Sequence, residues 1–165
     1  MAALNPGTTA PDFTLPTMDG KRFSLREALA QAPVVAAFFK ISCPTCQYAF
    51  PFLQRLYEAH GTEPIIIVGI SQNGKKDTAA FIKEYGLTFP VLLDDTSTYP
   101  VSNAYGLTNV PTIVWIGQDG EIEISSVGWI RKEMEELNQR AGALSGSRPK
   151  PLFHPNEQVA DFRAG

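Results

Sequence analysis

Residues 34–46 read Val34-Val35-Ala36-Ala37-Phe38-Phe39-Lys40-Ile41-Ser42-Cys43-Pro44-Thr45-Cys46. The run from Val34 to Phe39 is apolar throughout, short, and β-branched at its start, which predicts a buried strand of a parallel sheet. It leads straight into two cysteines three positions apart. From Pro44 to about His60 the apolar residues Tyr48, Phe52, Leu53, Leu56 and Tyr57 recur at helical spacing, and a proline suits the first turn of a helix. Pro51 lies inside that helix, where it has no N–H to donate and is expected to kink it. The central unit is therefore strand, CxxC, helix.

This placement puts Cys43 at a helix N-terminus, where unpaired N–H groups and the helix dipole favour an anion. Cys46 sits one turn further in, close enough to close a small disulfide ring. The pair suits a two-step exchange in which Cys43 attacks a substrate disulfide and Cys46 then releases the reduced product. A zinc site needs about four ligands, and the other nitrogen donors of this kind, His60 and His154, are distant in sequence. Between Ala28 and Tyr57 there is no acidic residue, while Lys40 and Arg55 are present. Lys40 reads as a solvated loop lysine, and Tyr48 and Phe50 as core residues.

Outward from this unit, the 165 residues fit one domain. Hydrophobic residues make up 44% and charged residues 19%, a globular mix that excludes a largely disordered chain. A net charge of −3 argues against a binder of nucleic-acid backbones. No apolar run approaches the roughly 20 residues that span a bilayer. Two cysteines cannot form a secreted disulfide scaffold. The opening Met-Ala-Ala-Leu-Asn-Pro-Gly has neither the basic start nor the apolar stretch of a signal peptide. A cytoplasmic protein is therefore expected, and in that compartment a CxxC pair is redox-active or metal-binding rather than structural.

Asp12 to Leu15 alternates like a short strand, Asp19-Gly20 marks a hairpin, and Lys21 to Leu25 reads as its return arm, with Ser24 capping a helix through Ala30. Ile65 to Ile70 is a second buried strand. Gln72 to Lys76 is a polar loop, Asp77 a cap for a helix ended by Gly86, and Pro90 to Asp94 a short strand. A brief helix is expected from Tyr99 to Tyr105. Thr112 to Ile116 and Glu121 to Val127 form a hairpin through Asp119-Gly120, followed by an amphipathic helix from Trp129 to Leu144. The order predicts an α/β sandwich whose mixed sheet has parallel inner strands and an antiparallel edge pair.

Several of these features resemble the thioredoxin fold. The CxxC follows a strand, Pro51 stands eight residues after Cys43, and Val110-Pro111-Thr112 precedes a strand and the Asp119-Gly120 turn. The opening Gly7-Thr-Thr-Ala-Pro-Asp-Phe-Thr-Leu15 with Asp19-Gly20 resembles the redoxin branch. That branch holds the alkyl hydroperoxide reductase/thiol-specific antioxidant proteins and the TlpA-like thiol-disulfide oxidoreductases. The αβ insert from about Gln72 to Gly106 also fits it. The resemblance covers about residues 5–144, and it implies a three-layer sandwich with helices on both faces of the sheet. It further implies a cis peptide before Pro111, with the Val110 backbone opposite Cys43 and free to pair with a substrate strand. There are departures. Ser42 stands where thioredoxins carry Trp, Ala37 where they carry a buried Asp, and Ala49 where TlpA-like proteins often carry Glu. A peroxiredoxin would place its peroxidatic cysteine at Cys46, its upstream proline at Phe39 and its arginine near Pro111.

The expected function is thiol-disulfide exchange, with Cys43 as nucleophile, Cys46 as resolver, and Val110 and Pro111 binding substrate. The expected partners are a protein or small-molecule disulfide and a reducing thiol system, with no organic cofactor, metal, nucleic acid or membrane. One alternative is an antioxidant thiol peroxidase using Cys46. Another is a redox-sensing binding protein without turnover. Residues 1–144 form the expected domain and 145–165 an extended tail. Leu152, Phe153, Val159 and Phe162 are too apolar for a solvated linker, so the tail is expected to dock on its own domain.

Overall fold

The computed structural model describes residues 3–61 and 63–165. Its elements run β1 (Thr14–Pro16), β2 (Arg22–Ser24), α1 (Leu25–Leu29), β3 (Val34–Phe39), α2 (Pro44–His60), β4 (Ile66–Ser71) and α3 (Lys75–Tyr85). They continue with β5 (Val91–Leu93), α4 (Pro100–Ala104), β6 (Thr112–Ile116), β7 (Ile122–Val127), β8 (Trp129–Ile130), α5 (Arg131–Leu144) and β9 (Phe162–Arg163).

Five strands form the central sheet in the order β5-β4-β3-β6-β7. β3 and β5 run parallel to β4, whereas β6 is antiparallel to both β3 and β7. β3 is the middle strand and all six of its residues are buried. Successive strand residues face opposite sides. Val35, Ala37 and Phe39 join the core formed with Leu53 and Leu56 of α2, Phe81 of α3 and Leu137 of α5. Val34, Ala36 and Phe38 join the opposite core, with Phe13, Leu25, Val101 and Tyr105. An uninterrupted apolar run is what a strand covered on both faces requires.

The turns follow local chemistry. Ser24 caps α1 by accepting the Glu27 N–H. Gly20 and Gly120 take φ of 84° and 86° at the two hairpin turns, where residues with a Cβ are disfavoured. Asp77 is not the cap of its helix. α3 begins three residues earlier than a cap at Asp77 implies, at Lys75 after Gly74, and Asp77 lies in the first turn, where its charge suits the helix dipole. α2 continues through Pro51 to His60.

The expected helix from Trp129 begins two residues late. Trp129 and Ile130 are instead a strand, paired with Arg163 and Phe162 of β9. The partner strand comes from the chain's far end, so no local periodicity announces it. The segment from 145 onward lies along the domain. Leu152 and Phe153 are buried, Phe153 against the rings of Phe52 and Trp129. Arg55 on α2 holds Glu157 through two 2.7 Å hydrogen bonds. That guanidinium, helped by the His154 N–H, keeps the Glu157 carboxyl down at about 2. Phe162 departs from expectation, being 62% exposed. In a two-stranded ribbon with one face outward, its side chain points away from the core.

This contrast is measurable by urea unfolding. Phe153→Ala should cost about 3–5 kcal/mol, the usual range for a buried phenylalanine. Phe162→Ala should change stability by less than about 0.5 kcal/mol. Equal effects would contradict the docked arrangement.

Candidate active site

β3 delivers the chain to the carboxyl edge of the sheet, and the following turn is fixed at both ends. The Ile41 N–H donates to Asn73 Oδ1 at 2.9 Å, and Gln47 Nε2 donates to the Ile41 carbonyl at 2.9 Å. Cys43 is then the N-cap of α2, with extended φ and ψ of −83° and 114°. Its sulfur takes the role usually filled by a Ser or Asp oxygen, accepting the Cys46 N–H at 3.1 Å. Pro44 occupies the first helical turn, where a missing N–H costs nothing.

The Val110–Pro111 peptide is cis. The loop is held by Thr112 Oγ1, which donates to the Asn109 carbonyl at 2.8 Å, and by the Gly128 N–H, which donates to the Pro111 carbonyl at 2.8 Å. It faces the cysteine pair directly, and the Cys43 thiol donates to the Val110 carbonyl at 3.3 Å. Cys43, Cys46, Val110 and Pro111 are thus assembled by two segments 67 residues apart between Cys43 and Val110.

The two thiols differ in surroundings. Cys43 is half-buried and opens to solvent, whereas Cys46 is completely buried in the core beneath α2. Burial, and then the contact with Cys43, push the Cys46 thiol far above its ordinary value. Among the described residues, what shifts it is its burial, Cys43 and nearby backbone, with no carboxylate involved. Ala37 and Ala49, the two positions where the resemblance led one to look for an acid, are both fully buried and apolar. Lys40 is exposed. His60 ends α2, about 21 Å along the helix from Cys46 at 1.5 Å per residue. Its Nε2 lies 2.7 Å from Asn138 Oδ1. Among the described residues no group of three His, Cys, Asp or Glu could hold a metal ion.

Sequence reasoning missed Gln47, Asn73, Thr45 and Asn109 as positioning residues. Their partners are backbone groups brought near only by the fold. The polar Gln72-Asn73-Gly74 loop was the one local signal, since an Asn side chain readily satisfies stray backbone groups.

The sheet order, the helices on its two faces and the cis-proline loop define a thioredoxin-like protein. In fold it is similar to the thioredoxin domain of a thiol-disulfide oxidoreductase from Bacteroides vulgatus, with a TM-score of 0.75 at 20% identity, covering 84% of this chain and 99% of that one. It is also similar to a thiol:disulfide interchange protein of the thioredoxin family from Chlorobium tepidum, with a TM-score of 0.68 at 26% identity, covering 85% and 99%. The chain belongs to the AhpC/TSA family, whose pattern it matches over residues 6–125. Among curated relatives, the thiol-disulfide oxidoreductase ResA of Halalkalibacterium halodurans is 30% identical over 131 residues, 79% of this chain and 73% of that protein.

The asymmetry of the pair predicts unequal labelling. At neutral pH iodoacetamide should alkylate Cys46→Ser quickly, through Cys43, and Cys43→Ser slowly, through Cys46. Raising the pH should accelerate labelling of Cys46 only well above pH 9, because its thiol is pushed upward from about 9. Faster neutral labelling of Cys46 would reverse the roles.

Proposed function

We propose that this protein is a thiol-disulfide oxidoreductase acting through Cys43 and Cys46. The observation that carries the reading is the sulfur of a half-buried cysteine at a helix start, set 3.3 Å from the Val110 carbonyl, with a second, buried thiol one turn behind it. ResA relatives bear that activity in their names.

The exchange balances as follows. The Cys43 thiolate attacks one sulfur of a substrate RSSR, forming a Cys43–SR mixed disulfide and expelling RS⁻. Cys46 gives up its proton and attacks the Cys43 sulfur. The Cys43–Cys46 disulfide forms, the second RS⁻ leaves, and both leaving groups are protonated. Two electrons pass from the pair to the substrate. A thiol reductant restores the dithiol by the reverse sequence, and a reducing cytoplasm is the compartment in which this direction is favoured. The Val110 and Pro111 backbone offers substrate an edge to pair with beside Cys43.

A hydroperoxide reductase of the same family would need a reactive thiolate at Cys46. Complete burial and the upward push on that thiol favour Cys43 instead. Trapping tests the choice. Cys46→Ser should accumulate a mixed disulfide with substrate through Cys43, seen by mass spectrometry, while Cys43→Ser should accumulate none. Equal adducts from both variants would contradict the assignment. Oxidation of Cys43→Ser by hydroperoxide, as fast as that of the unsubstituted protein, would support the peroxidase.

A further inference from the structure

Residues 161–165 lie against the active site. After Phe153 and Glu157 dock, the Ala160 N–H donates to the Tyr48 hydroxyl at 3.0 Å, and the Trp129 indole N–H donates to the Ala160 carbonyl at 2.6 Å. The Arg131 N–H donates to the Asp161 carbonyl at 3.0 Å, and β9 pairs with β8. The Arg163 guanidinium lies over the Tyr48 ring, 4.5 Å from its centre. Beyond this the chain crosses between the two halves of the site. Thr45, inside the CxxC motif, donates its hydroxyl hydrogen to the Ala164 carbonyl at 2.6 Å. Asn109, next to the cis peptide, donates from Nδ2 to the Gly165 carbonyl at 3.2 Å.

The approach is too close for side chains on either side. A Cβ on Gly165 would fall 2.5 Å from the Val110 carbonyl oxygen, and one on Gly128 would fall 2.6 Å from the Arg163 carbonyl oxygen. Residues 163–165 therefore run backbone to backbone along the edge where an extended substrate would pair with Val110. A cleft of about 220 Å3, lined by Lys40, Gln72, Tyr99, Asn103, Asn109 and Val110, adjoins the cis-proline loop. Phe162 and the residues after it are exposed to solvent, so little apolar burial holds this last stretch in place.

We infer that residues 161–165 are a built-in occupant of the substrate-pairing edge, which an extended polypeptide disulfide must displace and a small disulfide need not. The inference rests on the exchange reaction proposed above and assigns that reaction a preference for small or short disulfides while the tail is seated. Polypeptide substrates bind only the fraction of molecules with the edge free, so their apparent affinity falls by that fraction.

The experiment compares two disulfides with the same leaving group. One is bis(2-hydroxyethyl) disulfide. The other is an extended single-cysteine peptide carried as its mixed disulfide with 2-mercaptoethanol. The reduced full-length protein, freed of reductant, is mixed with each, and loss of its thiols is followed in a single turnover. Truncation after Ala160, which removes the Thr45–Ala164 and Asn109–Gly165 bonds together with the β8–β9 pairing, should raise the peptide rate by at least roughly fivefold. It should leave the small-disulfide rate within about twofold, since that substrate does not need the freed edge. Gly165→Val, which keeps every upstream anchor, should raise the peptide rate in the same direction and covers the case in which truncation perturbs the fold. Peptide rates that are unchanged or lower in both variants, with the small disulfide still reacting, would overturn the strap alone. A full-length protein that reacts with neither disulfide would overturn the exchange reaction, and the strap with it.

Discussion

The first turn of α2 is closed on a sulfur atom. Four N–H groups at a helix start need partners from outside the helix, and here one of them, that of Cys46, points at Cys43 Sγ. The same sulfur donates its hydrogen to the Val110 carbonyl. One atom thus serves the helix start and the cis-proline loop at once, in a residue that is only half-buried. The rest of the fold holds this arrangement in place. β3 is buried on both faces and fixes Phe39, and Asn73 and Gln47 clamp the turn that follows. The core beneath α2 takes in Cys46 completely.

That core also sets the difficulty of the second chemical step. Cys46 begins as a buried thiol held neutral by its surroundings, and among the described residues no carboxylate helps to shift it. Ala37 and Ala49 contribute only packing where an acid would have offered a proton acceptor. In the exchange proposed above, the burial of Cys46 makes release of product the harder half. A seated tail adds a further condition on which substrates reach the first half.

Much of this was legible from local pattern. The uninterrupted Val34–Phe39 run, the CxxC at a helix start, Ser24 as a cap and the glycine turns each act within a few residues, and the structure places them as the sequence suggests. The cis-proline loop opposite Cys43 was legible only through resemblance, because nothing local joins Val110 to a cysteine 67 residues away. Two features were hidden for physical reasons. Trp129 and Ile130 form a strand because a distant segment supplies their ladder, which overrides the helical periodicity that follows. The apolar residues of the tail foretold docking through Leu152 and Phe153 but not its route. Thr45, Asn109 and Tyr48 recognise the tail through backbone groups, which carry no sequence signature.

In the proposed exchange Cys43 and Cys46 form one reversible two-electron couple. Equilibrating the protein against a graded dithiothreitol or glutathione buffer, and counting free thiols after acid quenching, tests it most directly. A single transition is expected, with a slope of about 29.6 mV per tenfold change, at a potential within roughly −270 to −120 mV. Both thiols should disappear together into an intramolecular disulfide, and Cys43→Ser or Cys46→Ser should abolish the transition. Two thiols that stay reduced across that whole range, or that are lost one at a time, would contradict it.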